Sequence, residues 1–128
     1  VKFDDAGSSA AAITSTRSWS LTIDKEVLET TVMGDTYGGN VGGIITGTGT
    51  VELMYTASSG DETAAFVDHI NTATDEGTAL FELFLDTSGA KKISFDAVVT
   101  SADLTATVGE IEAVTVNFTT NGTITTAI

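Results

Sequence analysis

The chain has 128 residues, one domain's worth, with 5 Lys and Arg against 18 Asp and Glu and a net charge of −13. It has no Cys, which excludes disulfides, thiolate zinc sites and cysteine nucleophiles, and its single His argues against a multi-histidine metal centre. The negative charge argues against binding to DNA, RNA or an anionic membrane, and no apolar run approaches the roughly 18 residues that span a bilayer.

Hydrophobic residues make up 41% and include six Phe, enough for a core, so a wholly disordered acidic chain is not expected. Thr is abundant, Gly numbers 13 and Pro is absent. Thr is β-branched and suits strands, Gly serves turns and bulges, and a chain without Pro keeps every backbone N–H for a ladder.

Residues 1–10, with Asp4, Asp5, Gly7, Ser8 and Ser9, read as a flexible extended arm. From 13 to 24 the pattern alternates. Ile13, Arg17, Trp19, Leu21 and Ile23 share one face, and Thr14, Thr16, Ser18, Ser20 and Thr22 share the other. Asp24-Lys25-Glu26 reads as a charged turn, and 27–33 as a second strand. The glycine-rich stretch 34–43 reads as a long loop or hairpin tip. Alternation returns over 44–55, with Ile45, Gly47, Gly49, Val51, Leu53 and Tyr55 on one face and Thr46, Thr48, Thr50 and Glu52 on the other.

Residues 61–74 form the one good helical pattern. Ser59 and Glu62 fit a capping box, and Phe66, Ile70 and Ala73 form its stripe. Residues 78–86 are apolar at Leu80, Phe81, Leu83, Phe84 and Leu85, as in a strand buried on both sides. Further strands are expected at 92–100, 104–108 and 111–120. Asn121-Gly122 then signals a hairpin into a last strand at 123–127. The sum is a mainly β domain spanning 1–128. It is expected to be a β-sandwich or partly closed barrel of about eight strands with one flanking helix at about 61–74.

The chain shows no catalytic signature, and it reads as a non-enzyme with no cofactor and no metal. His69 lies beside the helical stripe with no nucleophile pattern near it and reads as a surface or half-buried His. The run Gly38-Gly39-Asn40-Val41-Gly42-Gly43 has neither the Lys nor the following helix of a phosphate loop, so it reads as a flexible loop. The carboxylates are scattered, without a glycosidase pair or a calcium loop. Asn117 and Asn121 match glycosylation acceptors as chance allows in so Thr-rich a chain, and Trp19 reads as core.

Several stretches resemble the tail tube, or major tail, proteins of tailed bacteriophages. Trp19-Ser20-Leu21-Thr22-Ile23-Asp24-Lys25-Glu26 leads into Val27-Leu28-Glu29-Thr30-Thr31-Val32-Met33-Gly34-Asp35-Thr36-Tyr37. After the loop comes Gly43-Ile44-Ile45-Thr46-Gly47-Thr48-Gly49-Thr50-Val51-Glu52-Leu53. The stretch from Glu110-Ile111-Glu112-Ala113-Val114 through Phe118 to Gly122-Thr123-Ile124 is similar to the long strand and short return strand that often end the family. Together these stretches cover about half the chain. Gly38-Gly39-Asn40 departs from the family, where many relatives carry a bulkier or basic residue.

The resemblance implies a structural virion protein. Six subunits close into a ring, and rings stack into a hollow tube that conducts double-stranded DNA from capsid to host. The implied partners are further copies of the chain, a tape-measure protein and tail-end proteins, with DNA passing through unbound and no membrane. The implied location is the virion tail, assembled in the host bacterial cytoplasm. Six copies at −13 carry −78 formal charges, and a wall of like charge and neutral hydroxyls lets DNA slide rather than stick. The Ser/Thr faces are candidates for the bore or for the outer wall. The loop residues Gly34, Asp35, Thr36, Tyr37, Gly38, Gly39, Asn40, Val41 and Gly42 are the candidate inter-subunit or inter-ring contact. Val1, Lys2, Phe3, Asp4 and Asp5 are the candidate assembly arm. The alternative reading is an acidic β-sandwich binding or adhesion module of a surface or secreted protein, with Trp19, Tyr37 and Tyr55 as its available aromatics.

Overall fold

Alternating Val, Ile, Phe and Thr residues build seven strands in a computed structural model that describes residues 1–4, 10–55, 60–72, 77–109 and 112–128. In chain order they are β1 (Lys2–Asp4), β2 (Ala11–Ala12), β3 (Thr16–Glu29), β4 (Asn40–Met54), helix α1 (Gly60–Asn71), β5 (Ala79–Phe84), β6 (Lys92–Thr105) and β7 (Ala113–Ala127). Among the described residues the strands form one antiparallel sheet in the order β2-β1-β5-β6-β7-β4-β3. Its outer strands β2 and β3 are not paired with each other, so the sheet does not close into a barrel. The expected mainly β fold with one flanking helix is what the chain adopts.

One face of the sheet carries the core. Cross-strand rows run Trp19–Val51–Val116–Ala102, Leu21–Gly49–Phe118–Val99 and Leu53–Val114–Leu104. Phe81 stacks on Phe118 at 4.7 Å and on Phe95 at 5.6 Å, and meets Phe3 edge-on at 4.9 Å. Helix α1 covers this face over β6. Asp61 and Glu62 sit in its first turn and His69 in its last, as the helix dipole favours. Its buried stripe is Thr63, Phe66 and His69, spaced three apart.

The structure corrects several local expectations. The stripe does not run through Ile70, which is exposed, while Ala73 and the capping residue Ser59 lie outside the described residues. His69 is buried, with its ring edge-on to Phe3. Residues 13–24 and 27–33 are not two strands. One strand, β3, runs through Asp24-Lys25-Glu26, and a register shift between Lys25 and Val27 absorbs the extra residue. Strand β6 likewise continues through 104–105, with a shift between Val99 and Ser101. Asn121-Gly122 is no hairpin. Gly122 takes φ +83° inside β7, and Gly122 and Thr123 bulge out between the Phe95–Ile124 and Asp96–Asn121 pairs. In each case pairing with a long neighbouring strand overrides a local turn signal. Strand β5 is buried on one face only, through Ala79, Phe81 and Leu83.

The first residues are not a free arm. Lys2–Asp4 pairs with β5, and Phe3 enters the core 4.4 Å from Phe66. Asp5 lies outside the described residues. Residues Thr14 and Ser15, expected in a strand, form a turn held by the helix. Both Oε atoms of Glu62 accept hydrogen bonds, from Thr14 N (3.0 Å) and Oγ1 (2.8 Å) and from Ser15 N (3.1 Å) and Oγ. Burial alone raises the Glu62 carboxyl, but these bonds from Ser15 and Thr14 outweigh it and hold it down at about 2. A depressed carboxylate stabilises the fold above its ordinary value of 4.5 and loses that contribution as pH falls toward 2. Glu62→Gln is therefore expected to lower stability at neutral pH. The gap to the wild type should narrow between pH 4.5 and 2, as read by urea titrations across that range.

Candidate assembly surfaces

Two surfaces lie outside the core, and β3 and β4 contribute to both. The first is the far half of the β3–β4 pair. Strand β7 pairs with β4 only along Thr48–Met54, and Gly47 N then donates to Thr120 Oγ1 at 2.9 Å. Beyond that point β4 is bonded to β3 alone, from Lys25–Ile45 to Glu29–Asn40. The result is a two-stranded ribbon that parts from β7, with a cleft between Ile23 and Ile45 on one side and Gly122–Thr126 on the other, and such a ribbon is marginal in water by itself. Its apolar side chains Val27, Leu28, Val41, Ile44 and Ile45 are exposed. An unpaired, apolar strand edge is a template for another chain.

The ribbon's tip is loop 30–39, four residues earlier than the expected 34–43, because Thr30–Met33 leave the strand and Asn40, Val41, Gly42 and Gly43 belong to β4. Thr30 N donates to Gly39 O at 2.7 Å, and Gly39 N donates to Thr31 Oγ1 at 2.8 Å, closing the base of the loop. Asp35 holds a turn at the apex. Its N donates to Val32 O at 3.1 Å, and its Oδ2 accepts from Val32 N at 2.9 Å. Gly34 sits in this turn at φ +100°, a region that favours glycine. The turn thrusts Met33 and Tyr37 into solvent, 104% and 86% exposed, with Thr36 and Gly38 beside them also exposed.

The second surface is the sheet face opposite α1. Three rows cross it: Ser18–Glu52–Thr115–Asp103, Ser20–Thr50–Asn117–Ser101 and Thr22–Thr48–Thr119–Val98. The groups bond to one another. Ser18 Oγ donates to Glu52 at 2.8 Å, Ser20 and Thr50 share a bond of 2.9 Å, and Asn117 Nδ2 donates to Ser101 Oγ at 2.8 Å. Beside it, Lys92 Nζ is tied to Glu82 at 2.6 Å. The face thus presents hydroxyls, half of them bonded to a neighbouring side chain, and a few carboxylates.

The hydroxyl alternation foretold this face, and the glycine-rich stretch foretold the tip. The candidates Val1, Lys2, Phe3 and Asp4 are placed elsewhere, in and beside β1. The three aromatics of the binding-module reading do not come together. Trp19 packs against the core, Tyr37 is on the tip, and Tyr55 follows β4 at the opposite end. Among the described residues no cluster of three His, Asp or Glu could hold a metal.

No protein-family model matches the chain, and no curated protein does. Solved structures do. A chain of the tail of an empty gene transfer agent particle with C6 symmetry superposes with a TM-score of 0.73 at 13% identity, covering 99% of this chain and 95% of that one. A chain of the native gene transfer agent virion gives 0.69 at 11% identity, over 93% and 89%. A chain of the anti-feeding prophage cap, which terminates a tube, gives 0.66 at 19% identity, over 98% and 87%. The fold of this chain is that of the chains matched in the gene transfer agent tail and virion and in the tube-terminating cap of the anti-feeding prophage.

Proposed function

We propose that the protein is a structural subunit of a virion tail, acting without catalysis or cofactor. Six copies close into a ring, and rings stack around a tape-measure protein into a tube that conducts double-stranded DNA. The observation that carries this reading is the likeness, over nearly the whole chain, to a subunit of a C6-symmetric tail. The hydroxyl face lines the bore. Its groups are neutral hydroxyls, an amide and carboxylates, several of them bonded to one another, and the Lys92 ammonium further along β6 is paired with Glu82, so it offers DNA phosphates little to hold. The protein resides in the virion tail and assembles in the host bacterial cytoplasm, where tail-end proteins bound the tube.

Negative-stain electron microscopy across protein and salt concentration tests this directly. Rings or hollow filaments with sixfold end views are expected. Dispersed particles under every condition, even after addition of tail-end proteins, would overturn it. The tip of the ribbon is part of the same proposal. Replacing residues 31–38 by a two-residue turn is expected to leave thermal stability within about 1 kcal/mol of wild type, because the tip touches no core residue. The same change is expected to abolish tubes. Normal tubes from this variant would remove the tip from assembly.

A further inference from the structure

Asn121-Gly122 is the chain's one Asn-Gly pair, and the chain has no Asp-Gly pair. It makes no hairpin, and tube assembly as proposed does not use it. Phe95 and Asp96 of β6 are consecutive, yet their partners in β7 are Ile124 and Asn121, so Gly122 and Thr123 pair with no residue of β6. Strand β4 offers them no partner either, because its pairing with β7 ends at Thr119. Asn121, Gly122 and Thr123 are all exposed, and a Cβ on Gly122 would meet nothing within 4 Å. The Asn121 carboxamide, in contrast, is held. Its Nδ2 donates to Gly77 O at 3.0 Å, on the stretch that leads into β5. Gly77 takes φ +69° there, and a Cβ on it would stand 2.5 Å from that same Nδ2.

We propose that Asn121 is a site of spontaneous deamidation, restrained by its bond to Gly77. Asparagine is among the thermally labile residues. The Gly122 backbone N attacks the Asn121 Cγ. The N–Cγ bond forms, the Cγ–Nδ2 bond breaks, and ammonia leaves with the Gly122 amide proton. The product is a cyclic succinimide. Water then opens it at one of its two carbonyls, giving an aspartate on the original backbone or an isoaspartate whose backbone runs through the side chain. Either product adds one negative charge to the −13. Ring closure needs an uncrowded nitrogen and a backbone free to rotate. Gly122 supplies the first, having no side chain to block the approach, and the bulge supplies the second, since its residues are released from the ladder. The other asparagines, Asn40, Asn71 and Asn117, lie in β4, α1 and β7 and are followed by the bulkier Val41, Thr72 and Phe118. The bond to Gly77 slows the reaction by fixing a side chain that has to rotate. Modification in turn ends that bond, because a carboxylate has no proton to donate and sets an acceptor against the Gly77 carbonyl. The stretch before β5 then loses its hold on β7.

The test is to age the full chain at mildly alkaline pH, digest it and read the peptides by mass spectrometry, with isoaspartate detected by an isoaspartate methyltransferase. The expected result is a mass gain equal to water minus ammonia, confined to the peptide that carries Asn121, with isoaspartate among the products. An unmodified Asn121, or similar gains at Asn40, Asn71 and Asn117, would overturn the site. Gly122→Ala, whose Cβ has open space, should lose the gain. Gly77→Ala drives its Cβ against Nδ2 and should speed the reaction at Asn121, with the other three asparagines unchanged as internal controls. An equal or slower rate in Gly77→Ala would overturn the restraint by Gly77. Asn121→Asp carries the product from the start. Its amide hydrogen exchange is expected to rise at Gly77 and Thr78 while the β6–β7 ladder stays protected. Unchanged exchange at Gly77 and Thr78 would overturn the loss of hold on this stretch.

Discussion

Phe81→Ala is expected to cost about 3–5 kcal/mol, more than most single changes. Phe81 is fully buried, and its ring meets those of Phe3, Phe66, Phe95 and Phe118 within 6.1 Å. It lies where the first strand, the helix and the middle of the sheet converge. Truncation would leave a cavity walled by aromatic rings too large to collapse inward. Against a total of about 5–15 kcal/mol, this is a fifth or more of the stability. The melting temperature should fall by roughly 12–20 °C, read by circular dichroism. A loss below about 1 kcal/mol would mean that Phe81 does not sit at the centre of the core. Phe81→Leu keeps most of the volume and should lose clearly less.

Gly49→Ala should have the next largest effect, about 3 kcal/mol, by overfilling rather than emptying. A Cβ at this position would stand 2.2 Å from Ser20 O and 2.6 Å from Phe118 Cζ. The first neighbour is backbone, held by the β3–β4 ladder, and cannot swing aside. Gly49 lies between Leu21 and Phe118 in its row, and the Phe118 ring lies over the space that a side chain would fill. Gly47→Ala provides the comparison. The nearest atoms to its Cβ would be side-chain atoms of Thr120 and Ile124, at 2.9 Å and beyond, which yield at less cost than a backbone carbonyl. Guanidinium titrations should therefore place Gly49→Ala well below Gly47→Ala. Equal losses would refute the close-approach argument.

The alternating segments were legible because a period of two with one buried face leaves little freedom of register. Residues 46–53 show this, with Gly47, Gly49, Val51 and Leu53 inward and Thr46, Thr48, Thr50 and Glu52 outward. Strand ends were less legible. A bulge breaks the period, and Asp-Lys-Glu or Asn-Gly then looks like a turn, although cross-strand bonds carry the chain straight on. Strand β1 was invisible because three residues hold no period. Only the isolated Phe3 marked it, and that signal gains meaning once β5 is placed beside it. The tip was legible from its glycines and from Asp35. The seat of Asn121 against Gly77 was not, since the two lie far apart in the chain and meet only through the sheet order.

The pairing of Lys2–Asp4 with Ala79–Phe84 also sets a clock. During synthesis at about 5–20 residues per second, the early strand must wait several seconds for its neighbour to emerge from the ribosome. Until then Phe3 has no partner ring on β5, and the sheet lacks the strand that joins β1 to β6. Folding is thus a late event dominated by long-range closure, which is slow for β topologies. A nascent chain exposed for that long must stay dispersed among many copies of itself. The high negative charge keeps those copies apart until each has folded.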